Sequence, residues 1–230
     1  MGRFRLLVLA GLLGLAALYA GGRFVSGRIE PPRHPLTGRQ IAGLATNAAW
    51  LDRRDREQEE APDQALALLG IQPGMTVADV GAGTGYMTLR LAQLVGPGGK
   101  VFANDIQPHL LAVLQEKARA QGLSNIEMLL GTERDAGLPA DAVDLVLLVD
   151  VYHEMGEPQA MLRSLRRSLK TGGQLVLLEY RKEDPTIPIA EAHRMSVADV
   201  RREVEPEGFV FDRAVEDLPR QHILIFRHAR

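Results

Sequence analysis

Cysteine is absent from the 230-residue sequence, which excludes disulfides, thiolate metal sites and a cysteine nucleophile; zinc would rely on imidazoles and carboxylates alone. Net charge is nearly absent too, at -2, and no basic stripe marks a nucleic-acid binder. No nucleic-acid partner is therefore expected. Internal repeats and low-complexity tracts are also missing, so the length is spent on one sizeable core.

The N-terminus departs from this ordinary composition. Arg3 and Arg5 precede an apolar and glycine run from Leu6 to Gly22, followed by Arg23 and Arg28. Its length lies between the ~20 residues of a spanning helix and the ~7–15 of a cleaved signal. Residues 1–25 are read as a membrane-targeting segment, a retained anchor being expected and a cleaved signal the alternative. Pro31, Pro32 and Pro35 then suit a stiff tether over 26–35, with the globular domain spanning 36–230. The charged stretch Leu51 to Gln64 reads as a solvated helix face with i,i+4 pairs, a lid over a ligand being the alternative.

Beyond it, strand and helix patterns alternate. Thr76–Val80, Lys100–Asn104, Ile126–Leu130, Val143–Val149 and Gln174–Tyr180 read as short buried strands, with a turn at Thr171-Gly172-Gly173 before the last. Tyr86–Val95, Pro108–Gly122 and Pro158–Leu169 carry apolar residues at helical period between them. Such alternation implies a parallel sheet with helices on both faces. Phe209–Val215 and His222–Arg227 are separated only by a Pro219 turn, so a hairpin with one antiparallel strand closes the sheet. The expected class is α/β: a three-layer, Rossmann-like, seven-stranded, mostly parallel sheet with an antiparallel C-terminal hairpin strand.

The first strand runs into VADVGAGTGY, with Gly81, Gly83 and Gly85 spaced two apart. A dinucleotide loop of the GxGxxG type needs its last glycine where this chain has Tyr86, which argues against NAD. An acid, Asp79, followed by GxGxG resembles the first motif of the class I S-adenosylmethionine-dependent methyltransferases. Asp105, ending the second strand, and the terminal hairpin extend that resemblance over roughly residues 62–228.

The resemblance implies S-adenosylmethionine as cofactor. It implies Asp79, Gly81, Ala82, Gly83, Thr84, Gly85 and Tyr86 at the methionine end, Asp105 at the ribose and Ile106 at the adenine. The family's aspartate after the third strand is replaced by Thr132, leaving Glu133 or Asp135 for the adenine amino group. The active-site motif falls on Val149-Asp150-Val151-Tyr152-His153-Glu154, with Asp150 at the cofactor. It lacks the Asn-Pro-Pro-Tyr of amine methylases acting on nucleobases.

His153 is the best placed proton acceptor, with Glu154 to orient or replace it. Tyr152 and His193 are candidates for contacting substrate. His153 and Glu154 with His193 or His222 match no compact metal-ligand spacing, so no metal is expected. Arg163, Arg166, Arg167 and Lys170 recur near a helix C-terminus, where cations favour its dipole. The implied activity is methyl transfer to a small or lipid-like acceptor by a membrane-associated protein, its catalytic domain cytosolic because the cofactor is made there. Alternatives are export after signal cleavage, a non-catalytic binding module of the same fold, and an NAD-dependent oxidoreductase.

Overall fold

The apolar runs become strands buried on both faces in a computed structural model that describes residues 23–25, 28–45 and 47–228. Strands β1 (Arg23–Val25) and β2 (Arg28–Glu30) make a small hairpin, followed by helices α1 (Ala48–Leu51), α2 (Arg56–Glu60) and α3 (Pro62–Leu68). The alternating part runs β3 (Thr76–Val80), α4 (Thr88–Val95), β4 (Lys100–Asp105), α5 (Pro108–Ala120), β5 (Ile126–Leu130), β6 (Val143–Val149), α6 (Pro158–Ser168) and β7 (Leu169–Arg181). It closes with β8 (Arg194–Met195), α7 (Val197–Val204), β9 (Phe209–Val215) and β10 (Gln221–His228).

The main sheet has the order β5-β4-β3-β6-β7-β10-β9, with the two-residue β8 added beside β7. β10 lies antiparallel to both neighbours, and the β3–β7 pairings are parallel, as the closing hairpin requires. Alternate residues feed two cores. On one face Val80, Val146, Leu148, Leu177 and Phe226 meet Leu162 and Leu165 of α6 and Val200 and Val204 of α7. On the other, Val77, Leu145, Leu147, Val176 and Ile225 meet Leu66 of α3 and Leu91 and Val95 of α4. Strand order reverses between β3 and β6, which opens a crevice at their carboxyl ends.

Three parts differ from the sequence reading. β7 begins at Leu169 rather than Gln174: Val143 pairs with Leu169 and Leu145 with Gln174, so Thr171-Gly172-Gly173 is a bulge inside the strand, made possible by Gly172 at φ +80. Helix α7 was not anticipated, although Ser196 caps it by accepting from the Asp199 amide. The charged stretch after Leu51 is solvated on one side, with Asp52, Arg54, Asp55, Glu57 and Asp63 exposed, but its i,i+4 pair faces inward. Arg56 and Glu60 are buried and paired at 2.7 Å, and Arg53 reaches Glu59, Glu60 and the Tyr180 hydroxyl. The basic residues of α6 do pair locally, Arg163 with Glu207 and Arg167 with Asp135.

The chain docks onto the domain before Leu36, within the stretch read as a tether. His34 is buried against Gln159 and Glu203, and Arg39 grips the fully buried Glu203 through Nε at 2.9 Å and Nη2 at 3.1 Å. Thr37 also donates to Glu203. The strap then crosses to the crevice, where the Ala42 amide donates to the His153 carbonyl at 3.0 Å. Of the segment 1–25 read as an anchor or signal, residues 1–22 lie outside the described residues and Arg23–Val25 form β1. Among those described, no helix is long and apolar enough to cross a membrane.

Glu203 therefore latches the strap. Glu203→Gln, which leaves the Arg39 guanidinium without its carboxylate, is expected to cost about 3 kcal/mol in urea unfolding and to expose residues 33–45 to protease. A loss within measurement error with the strap still protected would contradict the latch.

Candidate active site

The loop leaving β3 is bare because its neighbours press on it. A Cβ at Gly81 would lie 2.4 Å from Val151 Cγ2, and one at Gly85 would lie 2.1 Å from Leu114 Cδ1. Both glycines also adopt positive φ, +78 and +88, a region that side chains disfavour. The loop's amides are turned inward. Gly81 and Ala82 donate to the Asn104 carbonyl, Gly83 to Asp105 Oδ2 at 2.8 Å, and Gly85 to the Ala82 carbonyl. A pyrophosphate cradle needs such amides free, so this loop is not built for a dinucleotide.

Acceptors line the crevice instead. Asp79 is 2% exposed and takes a hydrogen bond from Thr88 Oγ1 at 2.6 Å; burial lifts its pKa to about 6. Asp105 accepts from the Gly83 and Gln107 amides, and burial raises it as well. Each of its oxygens retains a lone pair. Asp150 sits at φ +52, takes the Gln221 amide on Oδ2 at 2.7 Å, and keeps a buried Oδ1 with no partner in the protein. Burial, then the charges of Glu60 and Glu179, hold Asp150 well above the usual carboxylate range.

One cavity of about 2310 Å³ joins these groups. Asp79, Gly81, Ala82, Gly83, Thr84, Tyr86, Asp105, Ile106, Thr132, Glu133, Asp150, His153, Glu154 and His193 all line it. Gly85 does not border it, its role being the turn and the approach of Leu114. Thr84 Oγ1 donates to Asp52 at 2.8 Å, and the Tyr86 hydroxyl to Glu57 at 3.0 Å with Arg56 over its ring. Thr132 spends its hydroxyl on its own turn, accepting from the Arg134 and Asp135 amides. Asp135 is turned away, bonded by Ser164 Oγ at 2.6 Å, so Glu133 is the acid of that loop that borders the cavity.

At the far end stands a polar cluster. His153 Nδ1 lies 2.5 Å from Glu179 Oε2, and its Nε2 lies 3.0 Å from His193 Nδ1. Burial works to lower the His153 pKa, but Glu179 outweighs it and the net direction is upward. Burial raises Glu154 to about 7, while its Oε2 accepts from the Ala45 amide on the strap. Two sequence candidates fall elsewhere. Tyr152 is fully buried in the core on the α6 side and does not border the cavity, and His222 is buried between strands, also away from it. Glu179 was missed; its signal was an acid directly after the apolar run Leu175–Leu178 and still within β7. Arg53, Arg56 and Glu60 border the cavity, in line with the alternative reading of their stretch as a lid over a ligand, and Tyr180, read only as the end of a strand, borders it too.

A family model described as a methyltransferase domain matches residues 71–208, more than half of the chain. The chain belongs to the S-adenosylmethionine-dependent methyltransferase family. A solved S-adenosylmethionine-dependent methyltransferase from Aquifex aeolicus superimposes with a TM-score of 0.74 at 30% identity, covering 79% of this chain and 97% of that one. Ubiquinone/menaquinone biosynthesis C-methyltransferases from Shewanella oneidensis and Pseudoalteromonas translucida are both 34% identical, over 51% and 54% of this chain and 47% and 50% of theirs. The chain thus spans about half the length of the curated relatives it matches. The cyclase SpnF, at 19% identity and a TM-score of 0.62, shares the fold alone.

The family's cofactor, S-adenosylmethionine, fits these residues. Its ammonium, ribose hydroxyls and adenine amine are donors, and it has no phosphate; the crevice offers Asp79, Asp105, the unpartnered Asp150 Oδ1 and Glu133, with the loop amides already bonded.

Asp79 also generates a pH signature. Its ordinary value is 3.8 and its folded value about 6, so between these the native state holds a proton that the unfolded chain has lost. Stability therefore falls as pH rises through that window and levels off above it, by about 3 kcal/mol for this group. Asp79→Asn is expected to remove that much of the decline in urea unfolding between about pH 4 and about pH 7. Parallel wild-type and variant curves would contradict the assignment.

Proposed function

We propose that the chain transfers the methyl group of S-adenosylmethionine to a lipid-like acceptor with a quinone-type polar ring. The observation that carries this reading is one cavity with two chemically different ends. The glycine loop and four acids suit the cofactor; His153, Glu154 and His193 suit an acceptor's oxygen atoms; Ile41, Leu44, Trp50, Met155 and Ile189 give an apolar lining beside them. Its volume exceeds the ~300–1,000 Å³ of a single small-molecule site, leaving space for a second, bulky ligand. The similarity to the Shewanella and Pseudoalteromonas ubiquinone/menaquinone biosynthesis C-methyltransferases supports a quinone-type ring.

The cofactor, when bound, supplies an electrophilic methyl for in-line displacement. The chain's own contribution is positional. Asp105 ties the Gly83 amide to β4, and Val151 and Leu114 hold the loop from either side, so one ligand is fixed relative to the polar end that receives the other. Such orientation is worth roughly 7–11 kcal/mol. Leu51 and Asp52, laid over Gly83 and Thr84 by α1, and the strap at Ala45 exclude water from the junction.

A membrane anchor at residues 1–25 belongs to the same reading. Glu30, Pro31, Pro32 and Arg33 border the cavity, so an anchor just upstream would hold the mouth close to a bilayer where a lipid-like acceptor resides. The domain would face the cytosol, where the cofactor is made. A C-terminal reporter fusion is expected to report a cytosolic domain; an extracytoplasmic signal would overturn that orientation.

Calorimetry on the full chain with S-adenosylhomocysteine tests the cofactor end. Saturable binding is expected, weakened about 30-fold or more in Asp105→Ala, the equivalent of roughly 2 kcal/mol. A folded wild type that does not bind would sink the reading.

A further inference from the structure

Spacing along the chain puts no metal motif in this sequence, but the fold brings together what the spacing separates. Ligating atoms of His153, Glu154 and His193 lie within 4.8 Å of one another, and all three side chains border the cavity. We propose that His153 Nε2, His193 Nδ1 and a Glu154 carboxylate oxygen bind a divalent first-row transition-metal ion at the acceptor end of the cavity. The inference deepens the methyltransferase reading and rests on it only for what the ion would meet: an oxygen atom of the acceptor, on the coordination positions facing the cavity.

Three observations carry it. The first is orientation. Glu179 Oε2 stands 2.5 Å from His153 Nδ1, an acceptor for that nitrogen's proton, so in the neutral ring the free nitrogen is Nε2, 3.0 Å from His193 Nδ1. A carboxylate behind a histidine is the usual support of a metal-bound imidazole, fixing its tautomer and raising its basicity. The Tyr152 amide holds the other Glu179 oxygen at 2.9 Å, so the support is itself anchored.

The second is spacing. His153 Nε2 and His193 Nδ1 are 3.0 Å apart, and Glu154 Oε1 is 3.9 Å from His153 Nε2. Two ligands at adjacent corners of an octahedron with bonds of roughly 2.1 Å are about 3.0 Å apart, so the imidazole pair needs no rearrangement and the carboxylate a small one. A hydrogen bond between the rings accounts for the first distance but leaves the carboxylate facing an imidazole lone pair.

The third is charge. Glu179 is fully buried and Glu154 is 9% exposed, yet among the described residues the only ion-pair partner of either is His153. A neutral His153 that presents its Nε2 lone pair leaves the Glu179 carboxylate, and Glu154 whenever it is ionised, without a counter-charge. A dication at the cluster satisfies both and keeps His153 neutral. Two imidazoles and one carboxylate favour a transition-metal ion over magnesium or calcium, which prefer oxygen ligands.

The test uses untagged full chain, freed of metal with a chelator, titrated with Co²⁺ by visible absorption and with Zn²⁺ by calorimetry. One equivalent is expected to bind, with affinity reduced at least tenfold in His193→Ala and in Glu154→Gln, and about 10–100-fold in Glu179→Gln. His109→Ala, an exposed histidine on the same cavity but outside the cluster, is expected to bind as wild type does. His193 is half-buried on a surface turn, so its variant should fold, which circular dichroism checks. No saturable binding at millimolar Co²⁺, or binding unchanged in both His193→Ala and Glu154→Gln, overturns the site. S-adenosylhomocysteine titrated into the same samples separates the two claims: cofactor binding without metal binding refutes the ion alone, and metal binding without cofactor binding refutes the methyltransferase reading alone.

Discussion

The close approach of Val151 and Leu114 to Gly81 and Gly85 is the constraint on which the site depends. Side chains from β6's exit and from α5 occupy the space where loop side chains would stand, so the loop lies flat between two elements of the core. Its amides then close onto Asn104, Asp105 and Ala82, which locks β3's exit to β4's exit. The crevice at the strand-order reversal is thereby held open by packing and ready before any ligand arrives, a form of preorganisation.

With the Gly81, Ala82, Gly83 and Gly85 amides bonded within the protein, carboxylates are prominent among the groups left to meet a ligand, while Arg53 and Arg56 stand in the same wall. Asp79, Asp105, Asp150 and Glu154 are all held above their ordinary pKa, chiefly by burial. Each would gain from a cationic ligand, and an anionic cofactor such as a diphosphate would meet repulsion. A sulfonium nucleoside with a free ammonium suits this field. The same field at the opposite end, around Glu154 and Glu179, calls for a cation that no lysine or arginine supplies.

Much of the sheet was legible because its cues are local. Apolar runs, glycine turns and the Pro219 turn mark β3 to β7 and the closing hairpin within a few residues. The cofactor-side residues were legible because they sit at strand ends, where a pattern of type and spacing survives in one dimension. The motif did not report a second cause of the loop's bareness, the approach of Val151 and Leu114, residues far off in sequence. Glu179 and the His153–His193 contact were invisible because their partners lie 26 and 40 residues apart. Tyr152 stood in a motif but points into the core, since the short 3-10 turn Tyr152–Glu154 sends adjacent side chains to opposite sides. In the charged stretch after Leu51, periodicity reports which face is polar, not that Tyr180 would meet Arg53 and Glu60 on its inner side.

The central claim is that one cavity holds a methyl donor against a lipid-like acceptor. Its most direct test is to incubate the full chain with methyl-labelled S-adenosylmethionine and a lipid extract, then partition into organic solvent. Label is expected in the organic phase, and not there with Asp105→Ala. A folded wild type that binds S-adenosylhomocysteine yet leaves all the label in the aqueous phase would contradict the account.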